Sequence, residues 1–386
     1  MANSIEFILK LTERCNLNCS YCYYFNGSDK SFKEKPARLK ANIIDGIISF
    51  LLQAINELNL DSVGIVFHGG ESLLLNKGFF VEYCDKLKKY LEPKLKELTF
   101  SLQTNGMLID EELIQIFQKY KINLGISMDG PKLYHDEYRI THAGKGSYEQ
   151  VIKSINLLRK HDYDFGILSV IDPTKDPALI YNHFTKGLSI NRLDFLWPDF
   201  THNSPPPYPA QMYGDFITKI LKIWISEDNS NIKIRFIDSY MRMFLGERGY
   251  IYGEGSNSLG TYPIFVIRSD GEITPSDELM CTDPDSVMRM NKSIFNTTLK
   301  EFFALSIFFE IQNAYSNSPK ACSECCWETI CAGGRASSRF SNKNRFDNPS
   351  VYCEGLKVFF SEIFKYLICS GVSKKDIAKN LCIKNY

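Results

Sequence analysis

The chain lacks an excess of either charge. Its 386 residues carry 45 Lys plus Arg against 45 Asp plus Glu, a formal net charge of zero, and that argues against an electrostatic nucleic-acid binder, which needs a basic field. A charged-then-apolar leader is missing, and no apolar run reaches the length of a membrane span. A cytosolic location with no membrane partner is therefore expected. Internal repeats and low-complexity tracts are missing too. The apolar share of 44% suits an ordinary core, and the length allows one large domain or two.

Cysteine, by contrast, is plentiful. Twelve cysteines in a cytosolic chain point to metal or redox chemistry before disulfides. Seven fall into two patterned sets, Cys15/Cys19/Cys22 and Cys322/Cys325/Cys331/Cys353. The first lies in Arg14-Cys15-Asn16-Leu17-Asn18-Cys19-Ser20-Tyr21-Cys22. Thiolates are soft ligands for iron–sulfur clusters or zinc, and three on one loop can hold three corners of a cubane, leaving the fourth iron without a protein ligand. A metal with an unfilled position is a reactive site. The alternatives are a zinc knuckle or buried structural cysteines; zinc needs a fourth ligand, and Asn16, Asn18, Ser20 and residues 23–26 offer no good one.

To about residue 200, short β-rich runs alternate with amphipathic segments. Residues 4–12, 63–68, 98–103, 123–128, 164–171 and 192–197 read as strands; residues 42–58, 78–91, 110–119, 148–160, 176–187 and 208–226 read as helices. Six such units predict an α/β fold, a partial (β/α)6 TIM-like barrel short of the eight units that close a full one. Five of the strands run into polar or glycine-containing clusters: the cysteine loop, His68-Gly69-Gly70-Glu71, Gln103-Thr104-Asn105-Gly106, Ser127-Met128-Asp129-Gly130 and Trp197-Pro198-Asp199. Strand ends on one face are where barrel enzymes keep their chemistry. Gly144-Lys145-Gly146-Ser147 lacks the Walker spacing and reads as a capping turn.

After about residue 230 the alternation stops, and the boundary is placed there: 1–230 for the barrel, 231–386 for a smaller cysteine-ligated domain. A hairpin is expected over 264–274, an amphipathic helix over 354–370, and a weak helix or frayed end from 374. The set Cys322-x2-Cys325-x5-Cys331-x21-Cys353 can complete a closed iron–sulfur or zinc site. Cys326 is expected to be buried rather than ligating, and Cys84, Cys369 and Cys382 to be helix-core thiols.

The first cysteine loop resembles the cluster-binding motif of the radical S-adenosylmethionine (SAM) enzymes. The resemblance implies a [4Fe–4S] cluster on Cys15, Cys19 and Cys22 whose open iron binds the amino and carboxylate groups of SAM, with Tyr21 near the adenine. Gly69-Gly70-Glu71, otherwise a tight turn, is similar to that family's glycine-glycine-glutamate motif, whose glutamate accepts from the SAM ammonium. Ser127 and Arg139 match residues around the SAM ribose and carboxylate. Asp129 does so too, or else is a helix cap or turn residue. Gln103 and Asn105, from the third strand end, are placed with this cofactor-binding set.

The second cysteine set resembles the SPASM extension of peptide-modifying radical SAM enzymes, which implies an auxiliary [4Fe–4S] cluster. Such extensions usually carry another cluster, with one cysteine before and one after the glycine hairpin and a further one four residues past Cys331. Here the positions after the hairpin and after Cys331 hold Ser276 and Arg335, and Cys281 alone cannot replace them, so one auxiliary cluster is expected. Asp277 stands where an aspartate can take a proton as the substrate radical is oxidised; the alternative is a solvated turn residue.

A narrower resemblance, to the maturases that make three-residue cyclophanes in ribosomal peptides (the XyeB, FxsB and GrrM types), comes from Tyr23–Asn26, Leu196–His202, Phe340-Ser341 and Arg345–Cys353. It implies hydrogen removal from a Cβ of a precursor peptide, coupling to an aromatic ring, and electrons from a low-potential donor of flavodoxin or ferredoxin type. The rival expectations are a formylglycine-forming sulfatase maturase, a thioether-forming maturase, and a metal-stabilised interaction module without catalysis.

Overall fold

A computed structural model describes residues 3–251, 264–280, 282 and 288–381. Cys281 and Cys382, for which a role and a helix-core position were in question, lie outside the described residues. The fold is mixed α/β, and the chain forms two compact units: Met1–Met128 with Lys132–Gly166 and Gly260–Phe309, and Asp129–Pro131 with Ile167–Leu259 and Glu310–Tyr386.

The first unit is built on a sheet whose strands run in the order β10-β9-β8-β1-β2-β3-β4. These strands are β1 (Ser4–Thr12), β2 (Ser62–Gly69), β3 (Glu97–Thr104), β4 (Asn123–Ser127), β8 (Phe265–Ile267), β9 (Glu272–Pro275) and β10 (Lys292–Ser293). From β1 to β4 the pairing is parallel, with Phe7 opposite Ile65 and Ile65 opposite Phe100. Inward alternation sets this register: Val63, Ile65 and Phe67 of β2 are buried while their neighbours are less so. In β1 the alternation gives way to continuous burial from Leu9 through Glu13, because β1 lies between β2 and β8. Two charged residues, Lys10 and Glu13, are thereby carried to zero exposure.

The units do not follow a single cut at residue 230. The expected hairpin forms as β8 and β9, and β8 pairs in parallel with β1, Phe7 opposite Phe265. That pairing, with the stacked Phe7 and Phe265 rings 5.3 Å apart, makes the hairpin part of the first unit's sheet.

Helix Ala41–Leu58 buries Ile43, Ile44, Ile47, Ile48, Leu51 and Ile55, a stripe at helical spacing. Over 18 residues it reaches a mean hydropathy of 1.2, long and apolar enough by composition to cross a membrane. The expectation that no run has that character is corrected here, for a core helix can have it too.

Arg268, at the end of β8, reaches Glu13 with Nη2 to Oε2 at 3.0 Å and Nε to Oε1 at 3.3 Å; both side chains are buried. Tyr24 hydroxyl donates to the same carboxylate. Removing one member of a buried pair leaves the other charge uncompensated. Arg268→Ala should therefore cost roughly 3–5 kcal/mol, read as a lowered denaturant midpoint.

The second unit carries β5 (Phe165–Val170, which begins at the edge of the first unit), β6 (Arg192–Leu196) and β7 (Lys233–Ile234), paired in parallel in that order. Helix Ala210–Glu227 lies against helix Cys353–Cys369 at two glycines. A Cβ on Gly214 would stand 2.3 Å from the Gly355 carbonyl oxygen, and one on Gly355 would stand 2.2 Å from that of Ala210. Only glycine permits that backbone contact, and it fixes the helix whose first residue is Cys353.

Candidate functional site

The loop after β1 is held from both sides. The Asn18 amide donates to the Ile140 carbonyl at 2.7 Å, that of Ser20 to Tyr138 at 3.3 Å, and His142 Nε2 donates to the Cys15 carbonyl at 3.0 Å. Cys15 Sγ accepts from the Leu17 amide at 3.3 Å and from Asn105 Nδ2 at 3.7 Å. Burial pushes the Cys15 thiol up to about 12, with Glu71, Cys19 and Cys22 adding to the rise. A neutral thiol is what this pocket favours when nothing positive is near, and a bound metal centre is what converts such a group to thiolate. Among the described residues no three His, Cys, Asp or Glu side chains close on a single ion. In a cubane cluster each thiolate takes a different iron, and Cys19 and Cys22 are close enough to Cys15 to raise its thiol.

Asn105 supplies an N–H to the Cys15 sulfur, and hydrogen bonds to ligand sulfurs help set a cluster's potential. Asn105→Leu should make the potential of this cluster more negative, as read by a redox titration followed by electron paramagnetic resonance. An unchanged potential would detach Asn105 from the cluster.

Gly69 and Gly70 serve a contact that the sequence does not show. Gly69 has φ +148°, and a Cβ there would stand 2.3 Å from the Thr12 carbonyl oxygen; a Cβ on Gly70 would stand 2.3 Å from that of Arg14. The expected close approach is thus made by the chain's own β1 backbone. Glu71 is 2% exposed and accepts from Asn105 N at 2.8 Å, Thr104 Oγ1 at 2.7 Å and Leu73 N at 3.0 Å. Burial raises its carboxyl despite those donors. Glu71 therefore ties the end of β2 to the end of β3, and its oxygens keep acceptor capacity for a cation.

Gln103 donates through Nε2 to Ser127 Oγ at 2.7 Å, joining the ends of β3 and β4. Arg139 is buried, with its guanidinium carbon 5.4 Å from the centre of the Tyr21 ring; Tyr21 in turn meets Tyr138 edge-on at 5.6 Å. Of the expected cofactor residues in the first unit, the structure thus brings Asn105 to the Cys15 sulfur, Gln103 to Ser127, and Arg139 to Tyr21. Asp129 belongs to the second unit, where its Oδ1 accepts from the Val170 amide at 3.1 Å.

Asp277 is not a solvated turn residue. It is 5% exposed and forms an ion pair with Lys10. Lys10 Nζ also lies 3.3 Å from His68 Nδ1 and 4.1 Å from the centre of the Tyr24 ring. Burial, followed by the Lys10 charge, pulls the His68 imidazole down to about 3, so it is neutral.

In the second unit Cys322, Cys325, Cys331 and Cys353 line one cavity of about 330 Å³ together with Trp327, Lys357 and Phe360. Burial pushes the Cys331 thiol up, and Cys353, Cys322 and Cys325 add to the rise. Four convergent sulfurs around a cavity fit a closed cluster site. Cys326 corrects the expectation of burial: it is exposed, since the turn from Cys322 to Cys325 directs the next side chain outward. Cys369 is exposed as well, at the last turn of its helix, whereas Cys84 is buried. Arg335 lies 3.7 Å from Asp199.

Sequence reasoning missed Lys10 and His142, and named His68 only as part of a strand-end cluster. For Lys10 a signal existed, a lysine between Leu9 and Leu11 in an otherwise apolar strand; for His142 there was none.

Residues 9–178 match the Radical SAM superfamily. The chain is 26% identical over 376 residues to the cysteine-type anaerobic sulfatase-maturating enzyme of Clostridium novyi, covering 93% of this chain and 95% of the relative. It is 25% identical over 375 residues to the serine-type enzyme of Bacteroides thetaiotaomicron, with 92% and 87% covered. Among solved structures, native anSMEcpe with bound AdoMet and Kp18Cys peptide superposes at a TM-score of 0.81 and 25% identity, covering 95% of this chain and 99% of that one.

Proposed function

We propose, from the premise that this chain is a radical SAM enzyme, that it installs an aromatic ring-to-Cβ crosslink in a ribosomally made precursor peptide. Cys15, Cys19 and Cys22 would hold the SAM-binding [4Fe–4S] cluster, and Cys322, Cys325, Cys331 and Cys353 one auxiliary cluster. When bound, the first cluster and SAM supply a 5′-deoxyadenosyl radical that removes a hydrogen atom from the substrate. The chain's own residues do the rest. Arg139 and Tyr21 offer a cation and a ring face to SAM, Glu71 an acceptor to its ammonium, and buried Asp277 a base for the proton that leaves when the substrate radical is oxidised. An auxiliary cluster held by Cys322, Cys325, Cys331 and Cys353 would supply an electron acceptor. A flavodoxin- or ferredoxin-type donor and a cytosolic location, where thiols stay reduced, belong to the same proposal.

The observation that carries the crosslinking reading is the meeting of two runs that resemble cyclophane maturases. His202 N donates to the Phe340 carbonyl at 3.0 Å and His202 Nε2 to that of Pro349 at 2.8 Å. Tyr352 hydroxyl donates to the Pro198 carbonyl at 2.8 Å, and its ring lies 4.9 Å from that of Trp197. Residues 196–202 and 340–352 are therefore packed on one another, with Trp197, Phe340 and Tyr352 buried at their contact. Arg335 and Ser276, in place of cysteines, further separate this chain from the two-auxiliary-cluster pattern.

Formylglycine formation is the second reading, favoured by the full-length similarity to sulfatase-maturating enzymes. Co-expression with a short peptide ending in aromatic-rich triplets, followed by mass spectrometry, decides between them. Crosslinking predicts loss of two hydrogens per aromatic triplet and no aldehyde. An aldehyde on a cysteine- or serine-containing sulfatase segment, with the aromatic peptide unchanged, would establish the second reading instead.

A further inference from the structure

Lys10 is the least expected residue of the first unit: a lysine of zero exposure in a central strand. A buried ammonium normally needs each of its protons occupied. Here it faces the Asp277 carboxylate, His68 Nδ1 at 3.3 Å and the face of Tyr24 at 4.1 Å. Behind Tyr24 stand Glu13 and Arg268, already paired with each other. The Asp277 carboxylate is thus joined through one ammonium to an imidazole that is half-buried where Asp277 is buried. An ion pair serving stability alone would not need the histidine, and a buried pair is often replaceable by apolar groups without loss.

We propose that Lys10 and His68 are the exit path for the proton that Asp277 takes from the oxidised substrate, an inference that rests on the reading of Asp277 as the base. The steps balance. The hydrogen atom leaves the substrate carbon with the deoxyadenosyl radical, and the remaining electron goes to an oxidised iron–sulfur cluster. The remaining proton goes to an oxygen of Asp277. Lys10 passes one of its N–H protons to His68 Nδ1 and takes the Asp277 proton in its place. His68, charged for that interval, loses the proton on Nε2 to water and then returns to its resting tautomer. Each group ends as it began, and one proton has crossed from buried carboxylate to solvent. The same count applies to ring coupling and to formylglycine formation, since both release one proton and one electron after hydrogen abstraction.

The test uses the full chain loaded with both clusters, with a synthetic peptide ending in aromatic-rich triplets and a synthetic cysteine-containing sulfatase segment as probes. Modified peptide per 5′-deoxyadenosine is the measured ratio. His68→Gly leaves the Asp277–Lys10 pair in place, and its ratio should fall ~100-fold or more, the lower end of what a proton-transfer group contributes. Added imidazole should restore it, and Lys10→Met should show the same fall without imidazole rescue. A wild-type ratio in His68→Gly, or a fall that imidazole leaves untouched, overturns the relay. Should neither probe be modified by wild type although SAM is cleaved, the function reading fails; the relay is then judged by magnetic resonance of histidine-labelled chain. In that titration Lys10→Met should raise the His68 pKa and Asp277→Asn should also move it. Independence of His68 from both would reject the inference by itself.

Discussion

Cys15→Ala is expected to abolish formation of 5′-deoxyadenosine from SAM under strong reduction, by more than the ~100-fold that loss of a supporting contact costs. Cys15 is one of only three thiols on its loop, and its sulfur already collects the Leu17 and Asn105 N–H groups. With one of three ligands gone the cubane loses a corner, and no other described residue of the loop is a soft ligand able to replace it. The measurement is chromatographic quantification of 5′-deoxyadenosine together with iron content. Retained cleavage at normal iron loading would remove Cys15 from the cluster.

The second large effect separates the two cysteine sets. Cys322→Ala opens a cavity in the second unit where four sulfurs converge, and the first cysteine loop is left with all its ligands. SAM cleavage should continue, whereas modified peptide per 5′-deoxyadenosine should fall at least ~10-fold, the loss of about 1.4 kcal/mol in the step that follows hydrogen abstraction. If both products fall together in a folded, SAM-binding variant, the division of labour between the sets is wrong.

Much of this was legible in the sequence because it rests on short-range chemistry. The spacing of Cys15, Cys19 and Cys22 carries the proposed cluster loop without help from the fold, and β1 runs over Ser4–Thr12 as its apolar pattern predicts. The other five strands of the alternating region agree within one residue at most ends, since inward alternation and parallel pairing impose the same period. What was illegible depends on contacts between distant segments. Nothing near Phe265 says that β8 will pair with β1 and pull the hairpin into the first unit's sheet. Nothing near Asp277 says that its partner is Lys10, 267 residues away. The exposure of Cys326 likewise depends on a turn that sequence spacing does not orient. At Gly69-Gly70 the sequence suggested a close approach to a ligand, whereas the contact that the fold makes there is to the backbone of Thr12 and Arg14.

The most direct test of the account is electron paramagnetic resonance of the reduced, fully loaded chain before and after SAM is added. The account predicts two [4Fe–4S] signals, of which the one lost in Cys15→Ala changes on SAM binding and, with SAM labelled at its amino nitrogen, shows coupling to that nucleus. A signal from the Cys15/Cys19/Cys22 cluster that is indifferent to SAM, with its fourth iron held by a side chain, would contradict it.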